Sequence, residues 1–272
     1  MISFPVLSSY PHVVTVFMMG VMDQVNQFAL GNLFCKTESA ATDQSLFWAF
    51  HGYLWTNQQM KTKDMLTVTL AIIGITVLVS FYAFNRPEVQ ARLMMNPFSI
   101  KRKGQYDRFL TSGFIHKDHM HLIFNMFSLY FLGTAVERDF KILFGSRGAY
   151  YFIALYLMAI AVSDLPTYFK QKDNPSYNSL GASGGVAAVV FAFIILQPMQ
   201  YLCIFFGLCM PGFILGSLYI AYSYFQGRRS SDHINHDAHL YGSLFGLLFC
   251  IVVYPPSIAG FYSQVTHWLF GQ

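Results

Sequence analysis

Polar and apolar residues along this chain separate into blocks rather than alternating. From position 65 onward six apolar stretches follow one another, at residues 65–84, 119–136, 148–164, 180–196, 201–224 and 238–254, each bounded by polar or turn-forming residues. A bilayer core about 30 Å thick takes roughly 20 apolar residues as a helix. Backbone groups in lipid must find their partners within the segment, so the blocks predict helices rather than strands. The second and fourth blocks are polar in their first turn, and Pro211-Gly212 predicts a kink or break in the fifth. The pattern gives an all-α membrane protein with six transmembrane helices.

The first 60 residues differ. The stretch VVTVFMMGVM is apolar but too short to span, and no Lys or Arg precedes it, so the charged front of a signal peptide is missing. The expected organisation is an extension over 1–60, weakly ordered or interfacial, a membrane domain over 61–257 and a tail over 258–272. The connection 85–118 is long and carries the basic run Lys101-Arg102-Lys103; loops of that length without structure of their own are usually functional or disordered.

Composition agrees with the blocks. Of 272 residues, 54% are hydrophobic and 11% charged, against about 25% charged in a soluble domain. The net charge of +4 is spread out and gives no nucleic-acid signal. Cys35, Cys203, Cys209 and Cys250 lack metal spacing, and the last three lie in apolar blocks. They read as small buried hydrophobes, and no disulfide is inferred.

Ionisable residues inside apolar blocks are costly and mark functional sites. HKDHMHLIFN opens the second block with His116, His119, His121 and Asn125; Ser183 opens the fourth; HINHDAHLYGSLFG leads into the sixth with His233, His236 and His239. Consecutive spans alternate direction, so the starts of spans two, four and six share one membrane face. His121 and Asn125 are four apart, on one helix face. His239, Gly242 and Gly246 form one stripe, and G-x-x-x-G lets another backbone approach closely. Gly184, Ala187 and Ala188 offer a matching small face. A serine hydroxyl becomes a nucleophile when an imidazole takes its proton, and free N–H groups at a helix start can hold an oxyanion.

The bland reading of a Gly/Ala/Ser cluster in a membrane helix is a packing surface. The G-x-S-x-G match over residues 181–185 adds little, because that elbow needs a strand-turn-helix. His233, His236 and His239 are three apart, which raises a zinc reading, but no H-E-x-x-H occurs and no carboxylate ligand is evident. No metal, cofactor or nucleic acid is expected. Asp237, two residues before His239, points to a different helix face and is a poor third member of a triad.

On these residues the chain resembles the rhomboid family of intramembrane serine proteases. GASG at Gly181–Gly184, AHLYGSLFG at Ala238–Gly246 and the pattern H-x-x-x-x-H-x-x-x-N at His116, His121 and Asn125 carry the resemblance over residues 65–254. The resemblance implies a six-helix rhomboid-type bundle with Ser183 as nucleophile and His239 as base. It also implies an oxyanion site at His121 and Asn125, with structural support from His116, Arg108, Gly181, Gly184, Gly242 and Gly246. Implied partners are transmembrane protein substrates and the lipid bilayer.

Two departures stand out. The first loop usually carries a Trp shortly before its Arg; here Tyr106 precedes Arg108 and takes the aromatic role. Some rhomboids have a ring four residues after the serine, against which the base packs; here that position is Ala187. The alternatives are a non-catalytic rhomboid-like binder of membrane segments in chaperoning or quality control, and, last, a small transporter or channel. The family topology places Ser183 at the outer, non-cytoplasmic leaflet, with a bacterial inner membrane as the expected location. Lys and Arg crowd the loops on that same side, against the positive-inside rule, unless the long first loop lies in the interface and is set aside.

Overall fold

The computed structural model describes residues 67–204, 208–229 and 235–271, and the expectations for residues 1–60, Cys35 and His233 lie outside them. The described chain is mostly helical. Helix α1 (Val68–Phe84) is followed by the first loop, which holds three short helices, α2 (Pro87–Leu93), α3 (Pro97–Lys103) and α4 (Arg108–Thr111). Helix α5 (His119–Ser128) runs through a π turn (Leu129–Gly133) into α6 (Thr134–Phe144), and α7 (Gly148–Ser163) leads into α8 (Leu165–Gln171). The nucleophile candidate begins α9 (Ser183–Leu196). A hairpin of β1 (Tyr201–Ile204) and β2 (Leu208–Pro211) precedes α10 (Gly212–Arg229), α11 (His236–Val253) and α12 (Pro256–Phe270).

Two helical runs are long and apolar enough to cross a membrane, His119–Gln171 and His236–Val253; α1 and α9 are shorter apolar helices. The first run folds back on itself. Gly145 sits at φ 59°, in the region that favours glycine, and α6 and α7 pack side by side across that corner.

Helix α9 is the centre of the bundle. Gly184 through Val189 and Phe191 through Ile195 are all buried, and α9 makes its most extensive contacts with α11 and α7. The glycine faces meet as their spacing predicts. A methyl group on Gly242 would strike the Gly184 carbonyl, and one on Gly246 would lie 2.7 Å from Ala188 Cα. Tyr156 and Ile160 of α7 close the other side of α9, where a methyl on Gly185 would come within 3.0 Å of the Tyr156 ring.

Glu137 fastens α1. Its carboxylate accepts from Val68 N (3.1 Å), Thr69 N (2.9 Å) and Thr69 Oγ1 (2.7 Å), and pairs with Lys141 Nζ at 2.8 Å. The first turn of a helix leaves its N–H groups without intrahelical partners, so a carboxylate from α6 is a natural cap.

Three expectations are corrected. The fifth block is not one kinked helix. Residues 201–204 and 208–211 pair as antiparallel strands with Cys203 opposite Cys209, so the protein is not strictly all-α. Pro211-Gly212 marks a strand-to-helix junction, where Gly212 N donates to Gln200 O (2.8 Å) and Phe213 N to Pro198 O (3.2 Å). Cys203 and Cys209 form a disulfide, while Cys250 is free and buried; the cross-strand register, invisible in the spacing, brings the pair together. The 258–272 tail is the helix α12. Its last turn touches the first turn of α10 through Trp268 and Phe213, ring centroids 5.4 Å apart. It starts where α11 ends, so both ends lie on the side of the bundle opposite Ser183.

Replacing Gly246 by Val tests the glycine contact. Overpacking against fixed backbone costs about 1–3 kcal/mol or more, so this variant should unfold at lower temperature in detergent or lipid than wild type. Unchanged stability would mean that α9 and α11 do not approach this closely.

Candidate active site

Ser183 starts α9 after a turn that only glycine suits. Gly181 has φ 126°, and a methyl there would lie 2.5 Å from His121 Cε1 and 2.8 Å from Nε2. The His121 ring therefore lies directly over the turn before the serine. Gly181 N donates to Ser112 O at 2.9 Å. Ala182 N is 3.4 Å from His116 Nε2. The N–H groups of the first turn of α9, from Ser183 on, have no intrahelical acceptor.

His116 is fully buried. Its Nε2 faces the Ala182 N–H and so accepts, which places its proton on Nδ1, 3.0 Å from Ser80 Oγ. Ser80 Oγ in turn donates to Phe114 O at 3.1 Å. Burial pushes the His116 imidazole down to about 3, so it stays neutral. The residue ties α1, the first loop and the serine turn together.

The long first loop is ordered against the same turn. Met95 and Ser179 exchange backbone hydrogen bonds of 2.9 and 3.0 Å. Asn96 donates to Tyr177 O and Asn178 Oδ1. Arg108, 6% exposed, donates to Ala91 O (2.9 Å), Met94 O (2.6 Å) and Gln105 Oε1 (2.7 Å). Tyr106 is 65% exposed and anchors nothing, so the aromatic role expected of it falls away and the Arg108 guanidinium holds the loop by its carbonyls. At the loop surface Arg92 pairs with Asp107 at 2.7 Å and lowers its carboxyl below the usual range.

Helix α5 enters through Asp118, whose carboxylate accepts from His121 N at 2.8 Å. That backbone hydrogen bond holds the Asp118 carboxyl low. Asn125 donates one amide N–H to His121 O at 3.0 Å; an amide has two such donors.

Helix α11 is capped by Asn235. Its Oδ1 accepts from Ala238 N (3.1 Å) and Thr167 Oγ1 (2.9 Å), and its Nδ2 donates to Asp164 Oδ1 (3.2 Å). Ser112 Oγ donates to the other Asp164 oxygen at 3.4 Å. Asp237 turns away to pair with Lys170 at 2.6 Å. The His239 ring stacks on Tyr219 of α10, centroids 6.4 Å apart and planes inclined by 22°.

These elements enclose one cavity of about 1110 Å³ lined by Ser183, His239, His121, Asn125, Ala187 and Tyr219, among others. Sequence-predicted catalytic and oxyanion residues share it; His116 and Arg108 stand behind its walls. His119 faces Phe81 and Phe84 instead. Ser183 Oγ makes no hydrogen bond among the described residues. No cluster of three or more His, Cys, Asp or Glu able to hold a metal occurs among them either.

A family model of the rhomboid domain matches residues 103–256. The chain belongs to the rhomboid family. It is similar to RHOMBOID-like protein 12, mitochondrial, of Arabidopsis thaliana, with 29% identity over 198 residues. That stretch covers 68% of this chain and 57% of the relative, so the chain spans a little over half the length of the protein it matches. As a rhomboid with long apolar helices it is a membrane protein. All three motifs fall inside the rhomboid match, whereas α1 and Glu137's contact with it reach beyond its start.

Asn235, Glu137 and Tyr219 were not singled out by sequence, and Asp164 was read only as a residue at the end of the third span. An Asn ahead of an apolar run is a capping signal and would have found Asn235. Tyr219 had no such signal, since its role depends on how α10 packs on α11.

His116→Ala leaves the Ala182 N–H unpaired, takes from Ser80 Oγ one of its two partners and opens a void. Each unpaired buried group costs about 1–3 kcal/mol, so unfolding measured in mild detergent should show a loss of that size or larger. Wild-type stability in that variant would remove the structural role.

Proposed function

We propose that this rhomboid is an intramembrane serine endopeptidase that cleaves transmembrane segments with a Ser183–His239 dyad. The observation that carries the reading is that Ser183, His239, His121 and Asn125 line one cavity, at the point where α9 and α11 touch backbone to backbone. Helix α9 has 14 residues, or about 21 Å, against a bilayer core of about 30 Å. In this reading the helix stops short of the surface on the Ser183 side, and the cavity gives water and substrate access to it.

In this reading a substrate segment enters from the side and extends locally. Ser183 Oγ attacks the scissile carbonyl and His239 accepts its proton. The carbonyl oxygen gains the charge, and the Ser183 N–H, His121 and Asn125 hold it. The C–N bond breaks, His239 gives its proton to the leaving amine, and water releases the acyl group by the same route reversed. Residues 61–257 form the catalytic unit as a six-span bundle, with no metal or cofactor. Ser183 faces the outer, non-cytoplasmic side. The mitochondrial name of the relative replaces the bacterial inner membrane as the proposed compartment.

A second reading has one observation in its favour. Ser183 Oγ is not hydrogen-bonded to His239, which suits a rhomboid-like binder of membrane segments that does no chemistry. Hydrogen bonds of an empty site often tighten only with substrate, so the protease reading stands first.

Purified protein in liposomes, with a generic transmembrane substrate, separates the two. Cleavage by wild type, its loss in Ser183→Ala and His239→Ala by about 10³-fold or more, and indifference to a chelator are the expected results. Substrate that binds but is never cut, together with no labelling of Ser183 by a fluorophosphonate, would favour the binder.

A further inference from the structure

We propose that Asp164 is a positioning residue for the Ser183–His239 pair, its carboxylate joining the turn that carries the base to the turn that carries the nucleophile. This rests on the dyad reading above. Asp164 follows the last residue of α7 and is 8% exposed. An ionised carboxylate can only accept hydrogen bonds, and burying one is costly unless donors reach it. Two do. Asn235 Nδ2 donates to Oδ1 at 3.2 Å, and Ser112 Oγ donates to Oδ2 at 3.4 Å. No Lys or Arg pairs with it among the described residues. A buried carboxylate without a counter-ion is an expensive way to hold two segments together. What it supplies that an apolar contact does not is direction.

Direction is set at both ends. Because Asp164 only accepts, the Asn235 amide turns its N–H side to α7, which leaves Oδ1 for the first turn of α11. There Oδ1 accepts from Ala238 N (3.1 Å) and from Thr167 Oγ1 of α8 (2.9 Å). The Asn235 carbonyl accepts from His239 N at 3.3 Å, so the backbone of the base hangs from the residue that Asp164 holds. On the other side the Ser112 carbonyl accepts from Gly181 N at 2.9 Å, just ahead of Ser183. The path from His239 through Asn235, Asp164, Ser112 and Gly181 to Ser183 is unbroken.

Packing presses the same three helix ends together. A methyl on Gly184 would lie 2.8 Å from Ser163 Cβ and 3.6 Å from Ala238 O. Helix α7 therefore meets the start of α9 immediately before Asp164, and α11 meets it in the capped turn. The glycine contacts between α9 and α11 fix how near the two helices come, but they resist sliding of one along the other only weakly. The Asn235–Asp164–Ser112 set opposes that sliding. When it breaks, α11 can shift along α9 with its glycine face still engaged, and His239 moves relative to Ser183.

The test uses the full chain in liposomes. Three quantities are read: the rate at which a fluorophosphonate labels Ser183, which needs the base but no transmembrane segment; kcat and KM for a cleaved substrate; and the unfolding temperature. Asp164→Ala leaves the Asn235 and Ser112 donors without their acceptor. It should slow labelling and kcat by about tenfold with KM unchanged, since misplacing a catalytic group by an ångström costs up to about 10²-fold. Asn235→Asp keeps the cap, for which Asp serves as well as Asn, but sets one carboxylate against another; it should slow labelling to a similar extent. Adding Asp164→Asn to it exchanges donor and acceptor and restores the bond. The double variant should then label within about threefold of wild type, a coupling that independent sites do not show. A merely stabilising residue would lower the unfolding temperature and leave labelling of the folded protein unchanged. Wild-type labelling by a folded Asp164→Ala or a folded Asn235→Asp overturns the proposal, and so does a double variant as slow as Asn235→Asp alone. If Asp164→Ala does not fold, the two Asn235→Asp variants carry the test. If wild type neither labels nor cleaves, the dyad reading itself fails and takes this proposal with it; activity lost in Ser183→Ala but kept in Asp164→Ala and Asn235→Asp rejects Asp164 alone.

Discussion

The architecture depends on a backbone-to-backbone contact between two helices. Lipid tails are as apolar as leucine, so the hydrophobic effect does not drive helices together inside a bilayer; close packing does. Gly242 and Gly246 bring α11 against the carbonyls of Gly184 and Ala188 with no side chain between them. Ser183 precedes the first of these contacts by one residue, and His239 precedes the other side by three. The packing surface and the candidate site are therefore the same piece of structure.

Around that contact, polar groups are concentrated at one end of the bundle and nearly all are paired. His116 bridges Ser80 and the Ala182 N–H, Arg108 saturates the loop carbonyls, and Asn235 joins Asp164 to the first turn of α11. Buried polar groups are tolerable when their partners are present. Such a network also fixes a unique geometry, because each member constrains the next. Ser112 belongs to both halves: its carbonyl receives Gly181 N and its hydroxyl reaches Asp164.

Much of this was legible in the sequence because the relevant rules are local. Helix spacing put His121 with Asn125 and His239 with Gly242 and Gly246, and alternation of spans put all of them on the face of Ser183. What was missed depends on contacts between elements. The hairpin and its Cys203–Cys209 bond sit in a block whose apolar run reads equally as helix or strand. Residues 258–272 were set apart as a tail with no element assigned, and they fall in the helix Pro256–Phe270, which is too short to span a bilayer. Tyr106 was chosen by proximity to Arg108 in sequence, and its exposure shows that proximity was no guide to burial. Glu137 was overlooked since a charge near a helix end looks solvated, and only the fold brings Val68 and Thr69 to it.

Three separate devices locate His239 relative to Ser183. Sideways separation is set by the absent side chains of Gly242 and Gly246. Height along the helix axis is set by Asn235, since the cap fixes where α11 begins, and its tether through Asp164 and Ser112 leads to the turn that also fixes where α9 begins. Rotation follows from the helical repeat, because a residue three before Gly242 must share its face. These act on the backbone, and together they set where His239 stands relative to Ser183. The His239 ring itself lies against Tyr219 of α10, a helix that borders the cavity and packs closely on α9 at Gly216.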